Sequence, residues 1–218
     1  MRATVDASLA RAEMVERQLR RRGISDERVL AAMARVPREL FLPERLRVYA
    51  YDDGALPIGH RQTISQPYVV ATICSLLALE GHERVLDVGT GSGYQAAVLA
   101  ELAAEVVTIE RIEALADTAR DRLVEAGYGS VEVRVGDGSM GVPERAPFDG
   151  VAVAAAAPAV PPALYEQLDD GGRLVVPRGS RRGQDLVLVV RTAEGPVERR
   201  SIPCRFVPLV GDEGFGEN

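Results

Sequence analysis

The chain has 218 residues, of which 46% are apolar and 27% charged, a balance that suits a soluble protein able to bury a sizeable core. Its formal net charge of −6 argues against a general nucleic-acid binder, which carries a basic excess. No apolar run approaches the roughly 18 residues of a membrane span, and two cysteines (Cys74, Cys204) with two histidines (His60, His82) make neither a disulfide framework nor a structural zinc site.

Residues 5–22 carry Leu9, Ala12, Val15 and Leu19 at helical spacing, and Gly23 ends that helix. The run Arg20-Arg21-Arg22 at its C-terminal end reads as a solvated face favoured by the helix dipole. Ser25 or Asp26 caps a second helix with Val29, Leu30, Met33 and Val36 on one face, stopped by Pro37. Residues 38–65 read as a loop with several turn signals. Pro67 then opens a helix to about residue 79, capped by Ser65 or Gln66.

From Arg84 the rhythm changes. Strands over 84–88, 105–110, 131–135, 150–154 and 172–176 alternate with helices near 93–102, 112–126 and 161–168, the pattern of a doubly wound parallel sheet. After Pro177, strands over 185–191, 197–201 and 205–210 predict an antiparallel edge, with a turn at Gly195-Pro196. The polar, glycine-containing residues 211–218 predict a disordered tail. The expected organisation is one α/β domain: a helical and substrate-loop segment (1–66), a cofactor-binding core (67–178) and C-terminal strands (179–218).

The first parallel strand runs into Gly89-Thr90-Gly91-Ser92-Gly93. A glycine turn lets a ligand approach the backbone, and the helix start beyond it offers free N–H groups. The spacing is Gly-x-Gly-x-Gly, and Tyr94 stands where the dinucleotide fingerprint has glycine one residue on. Asp87, two residues before the first glycine, would repel a pyrophosphate but attract an ammonium group. Glu110, followed by Arg111, ends the second strand and can accept ribose hydroxyls. Asp137, followed by Gly138 after the third strand, can accept from an adenine amino group. Singly, Asp87 has the ordinary reading of a turn carboxylate and Glu110 that of a solvated strand end. Together with Gly89 to Gly93 they describe a site for an adenosine with an amino-acid tail and no phosphate, S-adenosyl-L-methionine. The array resembles the cofactor motifs of Rossmann-like S-adenosylmethionine-dependent methyltransferases, which sets the expected fold class.

The resemblance narrows at Ala55-Leu56-Pro57-Ile58-Gly59 and Gln62-Thr63-Ile64-Ser65-Gln66-Pro67. With Arg35-Val36-Pro37-Arg38, Gly89 to Gln95 and Arg205-Phe206-Val207-Pro208-Leu209-Val210, these resemble the protein-L-isoaspartate O-methyltransferase family over residues 14–210. The resemblance implies methylation of the free α-carboxylate of L-isoaspartyl residues in peptides and proteins, as protein repair. It implies that Ser65 is catalytic, orienting that carboxylate, and that Gln62, Thr63 and Ile64 line the same pocket. Arg205, Val207 and Pro208 would meet an extended peptide. A carboxylate is already ionised at neutral pH, so no strong base is needed and alignment carries the catalysis; His60 reads as a rim residue. The chain departs from the family at Ala154, where the family commonly has threonine. The expected state is a cytoplasmic monomer with reduced thiols and no metal, nucleic-acid or membrane partner. The alternatives are a methyltransferase of this fold acting on another carboxylate or small molecule, a cofactor binder without turnover, and a nicotinamide-dependent oxidoreductase.

Overall fold

The computed structural model describes residues 6–216. Helix α1 (Ala7–Met14) starts at Asp6, whose side chain accepts the Ser8 N–H. The predicted start at Val5 lies outside the described residues. The helical run continues as a wide π turn (Val15–Leu19) and a 3-10 turn (Arg20–Arg22), and Gly23 closes it at φ +95°. Helix α2 (Glu27–Arg35) is capped by Asp26, which accepts the Arg28 and Val29 N–H groups and so settles the choice between Ser25 and Asp26. Val29, Leu30, Ala32 and Met33 are buried on one face of it.

The predicted loop over 38–65 needs correction. It holds two 3-10 turns (Arg38–Phe41 and Glu44–Tyr49) and an antiparallel hairpin of β1 (Leu56–Gly59) and β2 (Gln62–Ile64). Its turn places His60 and Arg61 at φ +48° and +59°, without the Asn-Gly or Asp-Gly signature that marks such turns. Helix α3 (Pro67–Leu77) follows with Gln66 at the N-cap position and no side-chain cap, so Ser65 does not serve that helix.

Seven strands form the central sheet: β3 (Arg84–Val88), β4 (Glu105–Glu110), β5 (Glu132–Val135), β6 (Phe148–Val153), β7 (Leu168–Ser180), β8 (Gly183–Thr192) and β9 (Gly195–Cys204). The order is β5-β4-β3-β6-β7-β8-β9, parallel through β7 and antiparallel at β8 and β9. Helices α4 (Tyr94–Ala100), α5 (Glu113–Glu125) and α6 (Pro162–Glu166) connect the parallel strands. The architecture is the expected Rossmann-like, mostly parallel sheet with an antiparallel edge.

Strand alternation divides the core in two. Val85, Val106, Ala152 and Val175 join the cluster that includes α1 to α4, whereas Leu86, Val88, Val107, Val151, Val153 and Leu174 point to the opposite face. Each fully buried aliphatic side chain stabilises the fold by roughly 1.5–3 kcal/mol. Among the described residues no helix is long and apolar enough to cross a membrane.

Two further expectations are corrected at the C-terminus. Residues 205–210 make no strand; they form two isolated parallel bridges, Ala156 with Pro208 and Val210 with Phe215, the first flanked by Ala156 N–H to Val207 O and Leu209 N–H to Ala156 O. Proline at 208 has no N–H to continue a ladder. Residues 211–216 are folded back rather than loose: the Asp212 N–H donates to Asp137 and the Glu213 N–H to Ser139. Residues 217 and 218 of the predicted tail lie outside the described residues.

Candidate active site

The sheet reverses its strand order beside β3, since β4 lies on one side and β6 on the other. Ligands of doubly wound sheets sit at that switch point, beyond the strands' C-terminal ends. There Gly89, Gly91 and Gly93 take φ values of +95°, +52° and +90°. The Gly-x-Gly-x-Gly spacing is therefore a backbone requirement, because side chains are strained in that region. The Gly89 and Thr90 N–H groups both donate to Ile109 O, which ties the turn to β4. A Cβ on Gly93 would stand 3.2 Å from Leu123 Cγ, and one on Gly91 would touch Ile58 of the hairpin at 3.4 Å.

Above the turn opens a cleft of about 890 Å³, open solvent included. Gly89, Thr90, Gly91, Ser92, Glu110, Arg111 and Gly138 line it, facing Gln62, Thr63, Ile64, Ser65, Val207 and Pro208. The structure thus gathers most of the residues that the sequence singled out around one space. Glu110 Oε2 accepts the Gly91 N–H (2.9 Å) and Oε1 the Ile112 N–H (3.0 Å). Since a carboxylate has about four acceptor sites, Glu110 keeps capacity for a ligand's hydroxyls.

An outer groove adjoins this cleft, lined by Ala55, Gln66, Val69, Cys204, Arg205 and Phe206 among others. Thr63, Ser65, Ala154 and Val207 line both spaces. Ser65 thus stands at the junction, after β2 and before α3. Arg205 belongs to the outer groove alone.

Besides Arg205, three expected site residues lie off the cleft. Gly93 sits beneath it as the N-cap residue of α4. Asp137 lines an adjoining space with Arg111 and Val210: Oδ1 accepts from Ser139 N–H and Oγ, and Oδ2 from the Asp212 N–H, and although burial pushes its carboxyl up, these bonds hold it below the ordinary range. Asp87 is fully buried, and Gln95 Nε2 and Thr108 Oγ1 donate to it at 2.8 Å each. Of those two neighbours, Gln95 lines the cleft and Thr108 does not.

Comparison with known proteins narrows what this cleft does. The family model for Protein-L-isoaspartate(D-aspartate) O-methyltransferase matches residues 10–214. The chain belongs to that family. It is 55% identical to a protein-L-isoaspartate O-methyltransferase of Methanoculleus marisnigri, over 94% of this chain and 93% of the relative. It is 57% identical to a second such protein, of Marinobacter nauticus, over 96% and 97%. A solved protein-L-isoaspartate O-methyltransferase superposes with TM-score 0.83 at 30% identity, covering 94% of this chain and 67% of that one. A Plasmodium falciparum structure in complex with S-adenosyl-L-homocysteine shares the fold, with TM-score 0.80 at 24% identity over 92% and 98%. Family membership sets aside the nicotinamide-dependent alternative.

The family motifs include residues whose contacts sequence reasoning did not reach. Gln95 and Tyr94 line the cleft from the first turn of α4, and Leu209 from the C-terminal segment. The signal for Gln95 is a polar amide inside the otherwise apolar, buried run of α4. Thr108, off the cleft, gives the same signal within β4.

Proposed function

We propose that the chain moves a methyl group from S-adenosyl-L-methionine to the free α-carboxylate of L-isoaspartyl residues in peptides and proteins. Esterification turns that carboxylate into a better leaving group, so the next backbone nitrogen closes a succinimide that reopens partly as normal aspartate. The donor supplies an electrophilic methyl group on a sulfonium sulfur. Its fit rests on the cleft itself: backbone laid bare by left-handed glycines, Glu110 with spare acceptor capacity at the end of β4, and Gly138, where a Cβ would stand 2.8 Å from Val88. Gly89 to Ser92, Glu110, Arg111 and Gly138 would hold it, with Asp87, Gly93 and Asp137 fixing the wall behind them.

The observation that carries this reading is Ser65, which borders both the glycine-turn cleft and the outer groove. Two substrates must meet where the two spaces join. The Ser65 hydroxyl can donate to the incoming carboxylate and aim one of its oxygens inward. The N-terminus of α3, beginning at Pro67, favours that negative charge. The acid arrives ionised, so no proton need be removed, and His60 lies exposed on the hairpin turn. Gln62, Thr63 and Ile64 would form one wall for the peptide, and Arg205, Val207 and Pro208 the other.

With this function goes the reading of a cytoplasmic monomer that meets damaged proteins rather than membrane or nucleic acid, the last of which the net charge of −6 disfavours. The test compares methyl transfer to an isoaspartyl peptide and to its aspartyl twin. Transfer to the isoaspartyl peptide alone is expected. Transfer to neither overturns the proposal in favour of another carboxylate substrate or of a binder without turnover.

A further inference from the structure

We infer that Thr108 and Gln95 are positioning residues that act through buried Asp87 to set which way the Thr90 hydroxyl hydrogen-bonds at the cleft. The four side chains form one chain of contacts. Asp87 and Thr108 are register partners on β3 and β4, so their side chains lie together on one sheet face. Gln95 reaches the same carboxylate from α4. Thr90, on the glycine turn, stands 2.7 Å from Thr108, oxygen to oxygen. Thr90 and Gln95 line the cleft, and Asp87 and Thr108, both fully buried, do not.

Proton counting fixes the polarity. A hydroxyl has one proton to give. Thr108 gives its proton to ionised Asp87 Oδ2, so it must accept from Thr90. Thr90 then has only lone pairs left, and presents an acceptor to a donor group on the ligand. Gln95 Nε2 occupies Oδ1, so a proton arriving on Asp87 goes to Oδ2, the oxygen facing Thr108. The relay then reverses: Asp87 donates to Thr108, Thr108 to Thr90, and the Thr90 proton turns outward. One buried proton thereby changes an acceptor at the cleft into a donor.

The surroundings make this reversal accessible. Burial first, and then the charge of Glu110 on β4, push Asp87 up to about 7, although its two hydrogen bonds oppose the shift. From α3 the buried Cys74 thiol faces it, itself raised by burial and by Asp87. From β6 the register partner is Ala152, which has no charge to add. Among the described residues Gln95 Oε1 is buried without a hydrogen-bond partner, and the amide bonds to Asp87 through Nε2.

This inference rests on the cofactor reading proposed above, and the experiment separates the two. Binding of S-adenosylhomocysteine is measured by calorimetry from pH 5.5 to 8 for the native chain, Thr108→Val and Thr108→Ser. Native affinity should weaken roughly tenfold towards low pH, as loss of one ligand hydrogen bond would give. Thr108→Val should flatten that profile, and Thr108→Ser should restore it. A folded Thr108→Val protein with the native pH profile overturns the relay. Should Thr108→Val not fold, the infrared carboxyl band of the native protein decides: a buried acid titrating in step with affinity supports the relay, and its absence near neutral pH overturns it. No binding by the native chain at any pH overturns the cofactor reading itself.

Discussion

Ser65 illustrates how much a single hydroxyl depends on its address. It has the residue type of a helix cap, yet α3 takes Gln66 at that position and leaves Ser65 at the mouth between cleft and groove. Ser65→Ala should lower turnover with an isoaspartyl peptide by about 100-fold, the scale of one lost oriented donor. Affinity for S-adenosylhomocysteine, measured in parallel, should stay unchanged; unaltered turnover would remove Ser65 from the mechanism. Ala154 borders the same junction. Ala154→Thr is expected to raise turnover by restoring a hydroxyl there, and kinetics without a gain would mark the position as neutral. At this scale the glycines were legible because positive φ demands glycine. The role of Thr108 was not, because a threonine in a strand says nothing of which carboxylate the register will bring beside it.

Among the elements, the β1–β2 hairpin matters most to the site and left the faintest trace. It is short, and it brings Ile58 against Gly91 and Gln62 to Ile64 against the cleft. Its turn holds Arg61 in the left-handed region at φ +59°. That conformation costs a side chain roughly 1–2 kcal/mol, partly offset by glycine's greater freedom when unfolded. Arg61→Gly should therefore raise the melting temperature by about 2–4 °C in a chain of this size; a lower value would mean that the guanidinium contributes more than its strain costs. The C-terminal segment is the other element that sequence misjudged. Its polar composition suggested a loose tail, yet Asp137 accepts the Asp212 N–H, and a Cβ on Gly211 would lie 1.9 Å from the Asp137 carboxylate. Gly211→Ala should release residues 211–216, read as faster amide exchange at Asp212 and Phe215, with the sheet amides unaffected.

For the molecule as a whole, Asp87 links fold stability to pH. Its folded value, raised from 3.8 to about 7, means that the folded state holds a proton that the unfolded chain has already lost between those pH values. Its contribution is fully present below the unfolded value and disappears as pH rises through about 7. The change is on the order of 4 kcal/mol at 1.36 kcal/mol per unit. Melting curves of the ligand-free chain should fall between pH 5 and 7.5, and Asp87→Asn should flatten that slope; an identical slope in the variant would place the titration elsewhere.

By itself the sequence determined the parallel α/β core, the glycine turn and the family, because periodicity and left-handed backbone requirements are local properties written residue by residue. Tertiary structure decided what those residues meet. Register set Thr108 beside Asp87, the switch in strand order placed the cleft, and the hairpin with residues 207–210 closed its sides. Such contacts join residues far apart along the chain. Their geometry follows from how the elements pack, which no local pattern encodes.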